Sequence, residues 1–154
     1  MSSKRILLTG SNGLLGQKLV HHILDQTEHV LLATSKGNNR ILSRNDFEYK
    51  SLDVTNFEEL KQIVIDFHPD AIINTAAMTN VDACETDKDG CLALNVTAVD
   101  HLINLCKVNN IHLVHLSTDF VFDGENGPYS EDDQPNPLSF YGNSKWKSEK
   151  LIRE

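Results

Sequence analysis

Short apolar runs along this chain alternate with longer stretches in which apolar residues recur every three or four positions. Residues 6–8 form the first short run, and Leu15, Leu19 and Ile23 then share one face of a helix. The same alternation predicts further strands at 30–34, 47–52, 71–74 and 111–116. Strands that alternate with helices require right-handed crossovers, so the pattern predicts an α/β fold with a parallel sheet.

Local signals refine the elements between these strands. Thr55 with Glu58 three residues later matches a capping box, which predicts that a helix begins there. A long helical pattern runs over residues 87–109, and a last helix opens near residue 141. Residues 122–139 form one long loop, and a loop of that length in a compact domain usually has a function.

Gly10, Gly13 and Gly16 lie between the first strand and the first helix, the arrangement of a dinucleotide-binding βαβ unit. Gly10 lets the chain turn sharply, Gly13 lets a pyrophosphate approach the backbone, and Gly16 lets the helix pack closely on the sheet. The N–H groups that open the helix then attract an anion. The alternative is a glycine-rich turn without a ligand.

The loop after the second strand bears on the choice of cofactor. NAD enzymes place an acidic residue here for the ribose 2′-hydroxyl, whereas NADP enzymes place a cation. No acid is present, but Ser35, Lys36 and Arg40 are. We therefore predict NADP(H), with NAD(H) as the other possibility, and a solvated loop without a ligand as the alternative interpretation.

Charge and cysteine content exclude several classes of partner. The 154 residues, enough for one domain, include 14 basic and 22 acidic residues, a net charge of −8, which argues against nucleic acid and anionic membranes as partners. We expect no membrane-spanning segment, because no apolar run approaches the required length. With no secretory signal and three cysteines in no metal-like spacing, we expect reduced thiols, no metal and a cytoplasmic location.

Two positions near the end of the chain could carry chemistry. Thr118 follows the fifth strand, where ligands of open α/β sheets bind. Tyr141 and Lys145 lie four residues apart and share a helix face. A free phenol has a pKa of about 10, and a nearby cation favours its ionised form. An isolated tyrosine and lysine at this spacing usually lie on the surface of a helix. Together with the glycine loop and Thr118, however, they indicate acid–base catalysis.

These motifs resemble the extended short-chain dehydrogenase/reductases, whose Thr-Gly-x-x-Gly-x-x-Gly pattern is matched by residues 9–16. The closer resemblance is to the dTDP-4-dehydrorhamnose reductase family, in segments 74–82, 117–122 and 128–145. It implies that residues 1–154 form an NAD(P)-binding Rossmann domain, a doubly wound parallel sheet. It also implies a truncation before the last strands and the C-terminal substrate domain of that family. The implied reaction is NADPH-dependent reduction of a nucleotide-linked 4-keto-6-deoxy sugar, as in dTDP-rhamnose biosynthesis.

The resemblance also implies roles for individual residues. Tyr141 would protonate the C4 carbonyl oxygen, Thr118 would bind that oxygen, and Asp119 would lie near the sugar. Lys145 would lower the pKa of Tyr141 and bind the nicotinamide ribose. The implied dinucleotide contacts are Gly10, Gly13, Leu14, Leu15 and Gly16 at the pyrophosphate, Asp53 and Val54 at the adenine, and Ala76, Ala77, Thr79 and Leu116 towards the nicotinamide.

Three positions depart from the reductase pattern. Phe120 replaces a usual Tyr, Ser139 a usual Asn, and Ser148 a usual Gly or Ala, which affects substrate details more than reaction class. Phe120 also occupies the position of a Glu in the dehydratases, which argues against dehydration.

Two other functions stay open. The methionine adenosyltransferase beta subunit, a non-catalytic regulatory protein, is similar but departs at residues 79–82, where this chain is reductase-like. The third function is that of an epimerase from the same branch, which the sequence distinguishes poorly from a reductase. Because the resemblance covers only an N-terminal part, we expect weak NADP(H) binding and little turnover from this chain alone, with a homodimer as a further possibility.

Overall fold

The computed structural model describes residues 2–153, which divide into two compact units. The first unit comprises the chain up to Ala77 together with His101–Leu116. The second comprises Met78–Asp100 and the chain from Ser117 onwards. Each unit has its own buried cluster of side chains.

The first unit contains five strands: β1 Arg5–Thr9, β2 Val30–Ser35, β3 Glu48–Ser51, β4 Ala71–Asn74 and β5 His112–His115. They form a parallel sheet in the order β3-β2-β1-β4-β5, which confirms the predicted α/β architecture. Helices α1 (Leu14–Gln26) and α2 (Phe57–Phe67) follow β1 and β3. All five strands lie within a few residues of their predicted positions.

Apolar side chains from β1, β2 and α1 hold the sheet to its first helix. Leu7, Leu8 and Leu32 are fully buried, as expected for strands covered on both faces. The core cluster on the α1 side consists of Ile6, Leu8, Val20, Ile23, Leu31, Ala33 and Ile41. Burying these side chains removes apolar surface from water, which is the main stabilising contribution to this unit.

The strand order places the loops that follow the strands at one edge of the sheet. The chain runs outward from β1 to β3 and then returns to β4 beside β1, so the direction of winding reverses between these neighbours. Backbone bonds from Ser11 N to Thr34 O (3.0 Å) and from Thr75 N to Thr9 O (3.2 Å) join the loops there. In open α/β sheets this reversal point is where ligands bind.

The predicted capping box at Thr55 is wrong. The cap of α2 is Asn56, whose side chain accepts a hydrogen bond from Glu59 N at 3.3 Å. Thr55 is held instead by Asp53, which accepts bonds from both the Thr55 amide (3.1 Å) and hydroxyl (2.7 Å). Both residue types cap helices well, and the competing carboxylate decides between them.

The second unit is helical. It contains α3 (Val81–Thr86), α4 (Lys88–Leu92), a π-helical segment (Ala93–Thr97), the start of α5 (Ala98–Asn109), a 3₁₀ turn (Asp119–Val121) and α6 (Phe140–Arg153). The helix predicted over 87–109 is confirmed, whereas α3 and the π-helical segment were not predicted. Cys84, Cys91 and Tyr141 form the buried cluster, with Met78, Val81 and Phe140 packed against it.

One helical stretch among the described residues, Lys88–Asn109, is long and apolar enough by length and composition to cross a membrane. The expectation of no membrane-spanning segment therefore stays a prediction. Its mean hydropathy is 1.3, and 44% of its most apolar part is buried. The core helix of a soluble protein can have the same length and composition, so these properties alone do not indicate a membrane segment.

Candidate functional site

The glycine loop has the geometry that its sequence predicts. Gly10 has φ +72°, a conformation that favours glycine, and an added Cβ would lie 2.5 Å from Ala76 N and 2.7 Å from Thr75 C. A Cβ on Gly16 would overlap the carbonyl oxygen of Gly10. The loop therefore packs directly against both α1 and the chain after β4, with no space for larger residues.

The start of α1 fits an anionic group. Gly13 occupies the N-cap position with extended backbone, and no side chain caps the helix. Leu14 and Leu15 are 84% and 46% exposed, so the first turn is open to a ligand. The hydroxyl of Ser11 is buried without a hydrogen-bond partner among the described residues. Unpaired N–H groups and the helix dipole at such an end bind phosphate groups.

Two residues with separately predicted roles pair with each other. Lys36 Nζ lies 2.6 Å from Asp53 Oδ2. Hydrogen bonds from Lys36 and Thr55 hold the pKa of Asp53 down at about 2, so this carboxyl group is ionised at neutral pH. Arg40 is exposed and forms no ion pair within the described part of the chain. Of the cations predicted for a 2′-phosphate, Arg40 is therefore the one without a competing carboxylate.

Asn74 links the ends of three neighbouring strands. Its side-chain oxygen accepts bonds from the Thr9 hydroxyl (2.5 Å) and the Ala76 amide (3.2 Å), and its nitrogen lies 3.0 Å from His115 Nδ1. This network fixes the backbone at Ala76 at the carboxyl end of the sheet. The first unit also contains four other residues that the sequence analysis gives as cofactor contacts, and these contacts stay predictions. They are Ser35, Ala77, Val54 (5% exposed) and Leu116 (38% exposed).

In the second unit, α6 carries the predicted acid–base pair on one buried face. Ser139 Oγ accepts a bond from Gly142 N at 3.0 Å and so caps the helix. Tyr141 is 8% and Lys145 only 2% exposed. Burial lowers the pKa of Lys145 to about 8, and the nearby carboxylate of Glu149 opposes that shift. The sequence pairs Tyr141 with Lys145, but it does not show that the ammonium group is buried.

The 3₁₀ turn after β5 packs against this face of α6. Thr118 opens the turn, because its hydroxyl oxygen accepts a bond from Phe120 N at 3.2 Å. The ring of Phe120 meets that of Tyr141 edge-on, with centroids 5.8 Å apart. Gly142 allows the close approach, since a Cβ there would overlap the Phe120 carbonyl oxygen. The structure thus brings the Thr118 segment next to Tyr141.

A cavity of about 500 Å³ in the second unit adjoins this turn. Asp119 and Phe120 line it, together with Tyr129 and Asp123 from the 122–139 loop. Asp119 is the residue predicted to lie near the sugar. Thr79, predicted as a contact towards the nicotinamide, is exposed near the start of this unit, and both roles stay predictions. The described residues contain no group of three His, Cys, Asp or Glu side chains that could hold a metal ion.

The 122–139 loop is organised by the carboxylate of Asp123. That carboxylate accepts hydrogen bonds from the Tyr129 hydroxyl, from Asn136 Nδ2 (2.9 Å) and from the Glu125 amide (3.0 Å). The rings of Phe122 and Tyr129 stack with centroids 4.4 Å apart. The hydrogen bonds, led by that from Tyr129, lower the pKa of Asp123 to about 2. The loop has no regular structure, but side chains fix its shape.

Asn95 is a functional candidate that the sequence analysis missed. It lies in the π-helical segment and is 1% exposed. Its side chain binds both the amide (2.8 Å) and the carbonyl oxygen (3.0 Å) of Met78, and it donates to Ser144 Oγ (3.0 Å) on α6. Asn95 therefore positions the helix that carries Tyr141. A polar residue four positions from buried Cys91, on an apolar face, was the available signal.

We expect Asn95→Ala to destabilise the chain by roughly 3 kcal/mol, because it leaves buried polar groups of Met78 unpaired and opens a cavity. Urea denaturation measures the change. Asn104→Ala is a matched control, since Asn104 is exposed on a helix and should change stability by about 0.5 kcal/mol or less. Equal losses in the two variants would contradict the role of Asn95.

The structure accommodates the departures from the reductase pattern. Ser148 is fully buried and donates its hydroxyl to Lys145 O at 2.7 Å, within the same helix. Ser139 serves as the helix cap, and Phe120, 48% exposed, lines the cavity. None of the three changes disrupts the packing of α6.

Comparison with known proteins gives a consistent assignment. A family model described as RmlD substrate binding domain matches residues 4–154. The dTDP-4-dehydrorhamnose reductase of Aggregatibacter actinomycetemcomitans is 35% identical over 96% of this chain and 46% of its own length. The methionine adenosyltransferase 2 subunit beta of Bos taurus is 36% identical over 99% of this chain and 43% of its own length.

A solved structure shares both fold and sequence. The dTDP-4-dehydrorhamnose reductase of Bacillus anthracis str. Ames, crystallised in complex with NADP, superposes with a TM-score of 0.82. It is 29% identical, over 99% of this chain and 50% of its own. The chain thus spans about half the length of the relatives it matches. With a family model that matches nearly all of its residues, the chain belongs to the RmlD substrate binding domain family, as its resemblance to the dTDP-4-dehydrorhamnose reductases predicted.

Proposed function

We propose that this chain is the cofactor-binding part of an NADPH-dependent reductase that acts on a nucleotide-linked 4-keto-6-deoxy sugar. The observation that carries the proposal is the buried Tyr141–Lys145 pair on α6, next to the turn opened by Thr118. Burying the charge of a lysine costs free energy, and groups buried in this way are often found at functional sites. The position of Lys145 beside a tyrosine therefore supports acid–base chemistry. The reductase relatives supply the substrate class, which remains a proposal for this chain.

The chain's own residues divide the work between binding and proton transfer. The open end of α1 and Gly13 would hold the pyrophosphate, and Arg40 would meet a 2′-phosphate. When bound, the nicotinamide supplies the hydride that reduces the C4 carbonyl carbon. Tyr141 would give its hydroxyl proton to the carbonyl oxygen, so that the ketone becomes an alcohol. Lys145 would stabilise the negative charge that then remains on the phenol oxygen.

Calorimetric titration of the chain with NADPH and then NADH is the first test. We expect NADPH to bind more tightly than NADH, because Arg40 can pair with the 2′-phosphate. In the full-length protein, NADPH oxidation that depends on a dTDP-4-keto-6-deoxy sugar should follow. If a folded sample binds neither cofactor and the full-length protein oxidises no NADPH, the proposal is wrong.

A non-catalytic regulatory role is the second candidate, supported by the 36% identity to the methionine adenosyltransferase 2 subunit beta of Bos taurus. Residues 79–82 match the reductase pattern and favour the enzyme. Stable copurification with a methionine adenosyltransferase, without sugar-dependent NADPH oxidation, would support the regulatory role instead.

Epimerisation of the same sugars would appear as product formation without net NADPH consumption. The cytoplasmic location, the absence of a metal and the homodimer stay predictions.

A further inference from the structure

Two side chains from distant parts of the first unit hold the segment of residues 35–40, which follows β2. The Tyr49 hydroxyl lies 2.6 Å from Gly37 O and 3.0 Å from Ser35 O, and its single proton is shared between these two carbonyl oxygens. Asn12 Nδ2 donates to Asn38 O at 2.9 Å, and Asn12 Oδ1 accepts from Arg40 N at 3.0 Å. The two side chains also meet, with 3.3 Å between Asn12 Nδ2 and Tyr49 Oη.

These contacts give the segment a shape that its own sequence does not dictate. Gly37 has φ +81° and an added Cβ would contact nothing within 4 Å, so the turn is open to solvent on its outer side. On its inner side, Asn12 and Tyr49 bind three carbonyl oxygens and the Arg40 amide, and the Gly37 amide donates to Ser51 Oγ at 3.1 Å. Asn12 belongs to the glycine loop, between Gly10 and Gly13, so one residue ties the pyrophosphate loop to the 35–40 segment.

The charges at the segment are unequal in availability. Lys36, 82% exposed, is paired with Asp53 at 2.6 Å, so a phosphate must compete with a carboxylate for it. Arg40 has no such competitor among the described residues, and its own amide is the group that Asn12 holds. The backbone position of Arg40 is therefore set by Asn12 directly, and by Tyr49 through the backbone of Gly37.

We propose that Asn12 and Tyr49 are positioning residues that set the preference for NADPH over NADH by holding Arg40 where a ribose 2′-phosphate arrives. The inference rests on the proposed dinucleotide function and adds a mechanism of cofactor selection to it. The two cofactors differ only in the 2′-phosphate, so displacement of Arg40 weakens the binding of NADPH and not that of NADH. Charge-assisted hydrogen bonds depend on geometry, and a displaced donor loses most of its contribution.

The test uses calorimetry with NADPH and NADH, and with the fragments 2′,5′-ADP and 5′-AMP, which differ only by the 2′-phosphate. We expect Asn12→Ala, Tyr49→Phe and Arg40→Gln each to weaken NADPH and 2′,5′-ADP binding about 10-fold. Binding of NADH and 5′-AMP should change by less than about 3-fold. Lys36→Gln should weaken NADPH binding less than Arg40→Gln does, because Lys36 is already paired with Asp53.

A double-mutant cycle separates positioning from general loosening of the fold. If Tyr49 acts through Arg40, then Tyr49→Phe should cost no further NADPH affinity in an Arg40→Gln background. Additive losses, or equal weakening of NADPH and NADH in Asn12→Ala, would overturn the inference while leaving the proposed function intact. A wild-type chain that is folded but binds none of the four ligands would overturn both. Thermal unfolding of each variant confirms that the compared samples are folded.

Discussion

Replacing Lys145 with Met should strongly reduce turnover in the full-length protein and at the same time stabilise the chain. Lys145 is 2% exposed, and burial lowers its pKa from 10.5 to about 8. At pH 7 the folded chain therefore carries a desolvated charge that costs free energy. Methionine has a similar shape without the charge, so we expect a gain of roughly 1–3 kcal/mol in the free energy of unfolding. Loss of the ammonium group should lower kcat roughly 10³-fold.

The free energy of unfolding should depend on pH through the titration of Lys145. Because the pKa in the folded state lies below the unfolded value, the unfolded chain binds more protons between about pH 8 and 10.5. The contribution of Lys145 to stability should therefore rise with pH in that window, and the rise should disappear in Lys145→Met. Turnover of the unmodified enzyme should fall above about pH 8, as the ammonium group loses its proton.

Lys147→Met is the matched control, since Lys147 is exposed on the same helix. It should change neither kcat nor the pH dependence of unfolding. A loss of stability in Lys145→Met at pH 7 would show that the ammonium group contributes more through its contacts than burial costs.

Replacing Gly10 with Ala should remove dinucleotide binding and destabilise the first unit by roughly 3 kcal/mol or more. Positive φ alone costs an alanine about 1 kcal/mol. The new Cβ would also lie 2.5 Å from Ala76 N, and this backbone is fixed by the hydrogen bond to Asn74. Urea denaturation gives the stability change, and calorimetry with NADPH gives the binding change.

Gly124→Ala separates backbone strain from steric overlap. Gly124 has φ +84°, but an added Cβ would contact nothing within 4 Å. This variant should therefore show only the strain, about 1 kcal/mol. If both variants lose the same stability, the close packing of the glycine loop is not the reason that Gly10 is required.

The sheet and the glycine loop could be predicted because their signals are local. Alternation of apolar runs with helical periodicity identifies the strands, and glycine spacing identifies a turn with no room for side chains. The cap of α2 shows the limit of such signals. Thr55 and Asn56 are both good cap residues, and Asp53 determines the outcome by binding Thr55.

The sequence predicts members of the candidate site one by one, and their roles stay predictions, but it does not predict how the side chains are arranged. The sequence identified Lys36 and Asp53 as two separate ligand contacts, whereas they pair across neighbouring loops 17 positions apart. It missed Asn12, Tyr49 and Asn95 because each acts on the backbone of a segment that is distant in sequence. Such contacts follow from the packing of strands and helices, which no single stretch of sequence contains.

The carboxylate of Asp123 determines when the 122–139 loop loses its conformational freedom. Its bonds to Tyr129 and Asn136 order the loop as the chain folds. Fixing a backbone residue costs about 1–2 kcal/mol of conformational entropy, and here that cost is met during folding rather than on ligand binding. A ligand of the adjoining cavity would therefore find its wall already rigid. Its association should be fast and should lack the large unfavourable entropy of coupled loop closure.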